Sequence, residues 1–186
     1  MSNVKGSAFA SRILWVRLNR GGEAGIDRLL SHASPALADV VRQGVVMSRW
    51  YPFDLFVEIN LALDRLFGSG DLGLIKTLGR HGADAYLTTI YRLFYKVGTV
   101  KWLLARATRL WGLHYDSGTL VVDNFPGREA GLRVEGFSAP HRAHCLSIVG
   151  WIERSVELSG GTDVRCEERA CRVRGDESCR FRLTWN

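Results

Sequence analysis

Residues 140–185 read PHRAHCLSIVGWIERSVELSGGTDVRCEERACRVRGDESCRFRLTW, and two periodicities in that stretch decide the fold class. Cys145, Val149, Ile152 and Val156 recur at helical spacing, so Pro140–Ser159 is predicted to be a helix with Cys145 on its inward face. Gly160-Gly161 stops it. Further on, Cys179, Phe181, Leu183 and Trp185 alternate with Arg180, Arg182 and Thr184, the period of a strand with one buried side. That strand closes a hairpin expected from about Thr162 to Trp185, which the helix covers.

Upstream, Thr119–Phe125 and Ala130–Phe137 read as another hairpin turning at Pro126-Gly127, with Leu132 and Val134 alternating against Arg133 and Glu135. Before about Thr108 the apolar positions recur at three and four, and no useful period-two run appears. Helices are expected over Ser7–Leu18 and from Glu23 to about His32. A short one follows Ser34-Pro35, whose serine caps and whose proline opens it. The next carries the stripe Phe56, Ile59, Leu63 and Leu66, and a long one runs from Asp71 to about Val97. Its Gly73, Gly79 and Gly82 cost helix stability, and close packing of another helix is the reason expected for them. Thr99 caps a last helix, with Val100, Leu103, Leu104, Ala107 and Trp111 facing inward. The fold class is therefore α+β, helices packed against an antiparallel sheet. It is read as a single domain over 1–186, mainly helical in 1–112 and hairpin-helix-hairpin in 113–186.

A chain of 186 residues, 46% hydrophobic and 24% charged, buries a core of ordinary size. With no apolar run of spanning length and no basic-then-apolar start, a cytoplasmic protein with reduced thiols is expected, and neither a membrane nor a nucleic acid as partner. The net charge of +6 is spread among acids and reads as a solvated surface.

In a reducing compartment, four cysteines point to metal more than to disulfides. A three-residue turn at Arg174-Gly175-Asp176 would set Cys171 opposite Cys179, and a bulge near Arg169-Ala170 would aim Glu168 at the same point. With Cys145 from the covering helix, the set Cys145, Glu168, Cys171 and Cys179 suits a structural Zn2+ with no open position. Two alternatives stand beside it. Cys166 shares the face of Glu168 and would give a four-sulfur site, and the cysteines can equally be buried reduced thiols.

Glu168-x-x-Cys171, Gly175 and Cys179-x-Phe181, with Cys145 on the preceding helix, resemble the 4-vinyl-reductase (V4R) domain over about Leu113 to Trp185. The resemblance implies a fold like that of small TRAPP vesicle-tethering subunits, a homodimer, and zinc on Cys145, Glu168, Cys171 and Cys179. It also implies the role of a bacterial sensor that takes a small apolar or aromatic molecule and signals to a partner protein. Tyr86, Phe94, Trp102, Trp111, Phe125 and Trp151 are the candidate pocket walls. A ligand-free tethering module and an accessory component of a reductase are the alternatives. No nucleophile motif or GxGxxG loop is present, and the protein is read as a non-enzyme. The five histidines read as surface or capping residues.

Overall fold

The computed structural model describes residues 2–90, 99–123 and 127–186, the side chains of 86–90 excepted. The elements run β1 Asn3–Lys5, α1 Gly6–Asn19, α2 Glu23–Leu30, α3 Pro35–Arg42, β2 Trp50–Pro52, α4 Phe53–Phe67 and α5 Gly73–Ile90. After the undescribed segment come α6 Val100–Leu104, α7 Ala107–His114, β3 Thr119–Val122, β4 Glu129–Glu135, α8 Arg142–Leu158, β5 Arg165–Ala170 and β6 Cys179–Thr184. The α+β class read from the periodicities is the one observed. Among the described residues no helix is long and apolar enough to cross a membrane.

Strands β3, β4, β6 and β5 form one antiparallel sheet in that order. The alternation on β6 buries Cys179, Phe181 and Leu183, and α8 lies over that face with Cys145, Val149, Ile152 and Val156 buried against it. On the far side of α8 lies α5. Gly79 and Gly150 let the two helices approach backbone to backbone: a Cβ on Gly79 would run into the Ser147 carbonyl, and one on Gly150 into that of Lys76. Glu153 on α8, 6% exposed, then accepts from Lys76 at 2.9 Å, from Arg80 at 3.3 Å and from the Cys166 amide at 3.1 Å. One carboxylate thus ties α5, α8 and β5 together, its burial offset by two cations and a backbone donor.

Caps placed the helix starts as the sequence implied. The Ser34 hydroxyl accepts from the Leu37 amide at 3.2 Å, and Thr99 caps α6 through the Trp102 amide at 3.3 Å. Four expectations change. The helix after Thr99 breaks at Ala105-Arg106 into α6 and α7. The first half is not purely helical, because β1 and β2 pair across 47 residues of sequence, Val4 opposite Tyr51; strands of three residues are too short to show a period. The last hairpin turns through a 3-10 helix at Arg172–Arg174, so Cys171 leaves the ladder and the partner of Cys179 is Val134 on β4. The expected bulge does occur, between Glu168 and Ala170, but it leaves Glu168 opposite Phe181. The expected continuation of α5 to Val97 lies outside the described residues.

Adding a methyl group at Gly79 or Gly150 has to push two helices apart. Gly79→Ala and Gly150→Ala are each expected to cost about 2–3 kcal/mol, a fall of roughly 5–10 °C in Tm for a chain of this size. Gly112, exposed on α7 with open space around it, is the control: Gly112→Ala should stabilise by about 0.5–1 kcal/mol through helix propensity. Thermal melts of the three variants check the pattern, and equal small effects at all three would contradict the close crossing.

Candidate functional site

Two constellations lie on opposite sides of α8. Toward the sheet, Cys145 sits between Cys171 and Cys179, with Sγ–Sγ distances of 3.7 Å to each, and all three thiols are buried. The hydrogen bond with Cys179, then burial, pushes the Cys145 thiol well above its ordinary pKa, so it stays protonated and donates; Cys179, accepting that bond, is pulled down. Glu168 does not join them. Its buried side chain is engaged by Arg142 and, at 3.4 Å, by Arg174, while Oε1 has no partner among the described residues. Cys166 is apart from the trio, its thiol raised to about 12 by burial and by Glu153.

On the α5 side of α8 a pocket opens between α1, α4, α7 and β3. Helix α1 sends Ser7 and Ser11, one helical turn apart and so on one face, toward it, and the adjacent Arg12 also lines it. Arg12 is 3% exposed and has no acidic partner among the described residues. Neutral acceptors hold it instead: Nε donates to Asn60 Oδ1 at 3.0 Å, Nη1 to Ser11 Oγ at 3.0 Å and Nη2 to Ser147 Oγ at 2.6 Å. Asn60 is itself fixed by donating to the Phe56 carbonyl at 2.7 Å, and the Phe56 ring lies 4.9 Å from the guanidinium carbon. Loss of hydration pulls the Arg12 pKa down to about 10, still charged at neutral pH. The nearby Tyr115 hydroxyl is pushed well above its ordinary pKa by burial.

The remaining wall is apolar and aromatic, from Leu110 and Trp111 on α7, Leu120 on β3, and Ile148 and Trp151 on α8. The pocket is partly open, and its space is about 60 Å3. His114, at the end of α7, also faces it; its Nδ1–H donates to the Leu110 carbonyl at 2.9 Å, its ring meets that of Trp151 edge-on at 5.5 Å, and burial lowers its pKa.

Of the predicted wall residues, Trp111 and Trp151 line this pocket. Trp102 does not: it lies under the Arg106 guanidinium, 3.9 Å away, on α6. Phe94 and Phe125 lie outside the described residues, as does the side chain of Tyr86. The polar end, Ser7, Arg12 and Ser147, was missed in the sequence. Its one signal was an arginine on the i, i+3, i+4, i+7 face formed with Phe9, Ile13 and Val16, which should have read as core.

The histidines also differ from expectation. His141 does cap α8, accepting from the Ala143 amide at 3.1 Å. His144, however, is 3% exposed, boxed by the rings of Phe53, Tyr115 and Phe137 at 4.8, 4.8 and 4.9 Å.

Neither a family model nor a curated protein matches the chain. Solved structures do. An H-NOX protein from Shewanella oneidensis, solved in an Fe(II)NO ligation state, superposes with a TM-score of 0.77 over 98% of this chain and 99% of its own, at 14% identity. An oxygen-binding H-NOX domain related to soluble guanylate cyclases gives 0.70 over 98% and 95% at 12% identity, and the unliganded Fe(II) H-NOX protein from K. algicida 0.70 over 98% and 96% at 12%. The chain has the H-NOX fold. This corrects the V4R and TRAPP resemblance: a short cysteine spacing carried it, whereas the superposition spans nearly the whole chain. The structural zinc and the zinc-stapled sensor of aromatic molecules fall with it, since the neighbours are described with iron and Glu168 is turned to arginines.

Burial holds the His144 pKa down to about 3, with His114 lowered in the same direction. The unfolded chain, with ordinary histidines near 6.5, binds these protons first, so stability is full above about pH 6.5 and declines as pH falls toward the folded value. Urea unfolding between pH 6.5 and 5, above the carboxylate range, should lose about 2 kcal/mol from His144. In His144→Phe that slope should flatten; an unchanged slope would remove His144 as its source.

Proposed function

We propose that this chain is a sensory domain that binds a small molecule in the pocket between α1, α5, α7 and α8 and reports its occupancy to a partner protein, by binding rather than turnover. The observation that carries the reading is the pocket itself, where a buried hydroxyl with no partner and a buried guanidinium with no acid among the described residues meet an aromatic wall. Buried polar groups of a folded chain are nearly always paired, so an unpaired hydroxyl lining a pocket is a place for a guest to bond. The neighbours of the same fold support it, being described with Fe(II) and with NO, CO or oxygen bound.

Iron of that kind implies haem with an axial ligand. His114 has the right tautomer, since Nδ1–H is given to a carbonyl and Nε2 keeps its lone pair. The space does not match. Ligand pockets span roughly 300–1,000 Å3, against about 60 Å3 here, and the rings of Trp111, Tyr115 and Trp151 stand in its wall. The described residues do not fit haem, and the pocket is read as one for a smaller guest.

Haemin titration of the purified chain should give no saturable Soret band at one equivalent. Native mass spectrometry and a thermal-shift screen of small molecules should instead show a guest whose binding is lost when Ala8→Leu fills the pocket. A one-to-one Soret complex abolished by His114→Gly would overturn the haem-free reading, and a chain that binds nothing in a pocket-dependent way would overturn the sensor.

A further inference from the structure

Resting on that pocket reading, the polar end specifies the guest. Arg12 is held from behind by acceptors that orient its guanidinium without neutralising it. Ser11 Oγ is spent on that task, since it also donates to the Ala8 carbonyl at 2.7 Å, and Ser147 Oγ accepts from Nη2. Ser7, one turn earlier on α1 and 8% exposed, lines the same pocket with its Oγ lacking any partner among the described residues. Gly82 on α5 keeps the space open, since a Cβ there would stand 2.9 Å from Arg12 Nη1. The pocket therefore presents a fixed cation and an idle hydroxyl, both able to donate, at the bottom of apolar walls.

We infer that the pocket binds a small monocarboxylate with a short apolar tail, its carboxylate accepting from the free N–H groups of Arg12 and from the Ser7 hydroxyl, its tail lying against Phe56, Leu110 and Ile148. A planar guanidinium fork matches a carboxylate in shape and charge. One buried cation among apolar walls balances one negative charge, which selects a monoanion over a phosphate dianion. Space of about 60 Å3 limits the tail to a few carbons.

The test uses the full chain, titrated with sodium propionate, butyrate and hexanoate and with 1-butanol, against sodium chloride at equal ionic strength. Binding is followed by calorimetry and by the fluorescence of Trp111 and Trp151, which form the wall. Propionate and butyrate should bind one per chain and raise Tm, with butanol about tenfold weaker or more because it leaves Arg12 unpaired. Ser7→Ala, whose hydroxyl holds nothing in the fold, should melt like the parent and weaken butyrate about three- to tenfold. Arg12→Lys should weaken it more, and where that variant fails to fold, Ser7→Ala carries the test alone. Butanol binding as well as butyrate, or Ser7→Ala binding butyrate as the parent does, overturns the carboxylate while leaving the pocket reading intact. Silence from every compound overturns the carboxylate, and the independent screen above then decides the pocket.

Discussion

Everything in this molecule is arranged around the contact of α5 with α8 through Gly79 and Gly150. Two helices normally sit 8–10 Å apart, held off by their side chains. Here each meets the other's carbonyl oxygens over a glycine, so any larger residue would separate them. Because α8 is also the helix that covers the sheet, that separation fixes how far the helical half stands from the strands. Glu153 reinforces the geometry at one end, accepting from both α5 cations and from β5. At the other end Gly82 continues the small-residue face, and the room it leaves is taken by Arg12 of α1. The same row of glycines thus serves packing at one position and a polar pocket three residues later.

That division explains why a dry guanidinium is tolerated. A buried cation without an acid costs several kcal/mol unless its hydrogen bonds are met, and Asn60, Ser11 and Ser147 meet three of them while their dipoles stand in for water. The arrangement is stable but incomplete. It fixes the guanidinium plane, leaves the charge without an acid among the described residues, and shares the pocket with Ser7, whose Oγ has no partner among them. Preorganisation of this kind lowers the cost of ordering a guest, which is where small ligands of few contacts gain their affinity.

How much of this was legible varies with the range of the signal. Helices α1 to α5 and α8, the caps at Ser34 and Thr99 and the alternation on β6 are local patterns, and each was read where it stands. The glycines of α5 were read as a packing face, and Gly79 has that role. What failed was non-local. The pairing of β1 with β2 needs residues 47 apart, and the turn after β5 depends on Cys171 capping a 3-10 helix rather than on a hairpin rule. The cysteine spacing brought Cys145, Cys171 and Cys179 together as expected, but it could not show that Glu168 has Arg142 one layer away. Arg12 was unreadable for the same reason: in sequence it is a break in an apolar stripe, and its meaning comes from Asn60 and Ser147, neither of them near it in the chain.

A fold shared at 12–15% identity with H-NOX proteins fixes the layers and not the lining of a pocket. The helix crossing is made by backbone and tolerates almost nothing larger than glycine. The pocket wall is made by side chains from separate elements, α1, α7, α8 and β3, each of which can be exchanged without moving the crossing. Function resides in those exchanges rather than in the fold. In this chain they place Trp111 and Trp151 in the wall and Arg12 at its polar end, and the proposed anionic guest rests on those side chains rather than on the shared architecture.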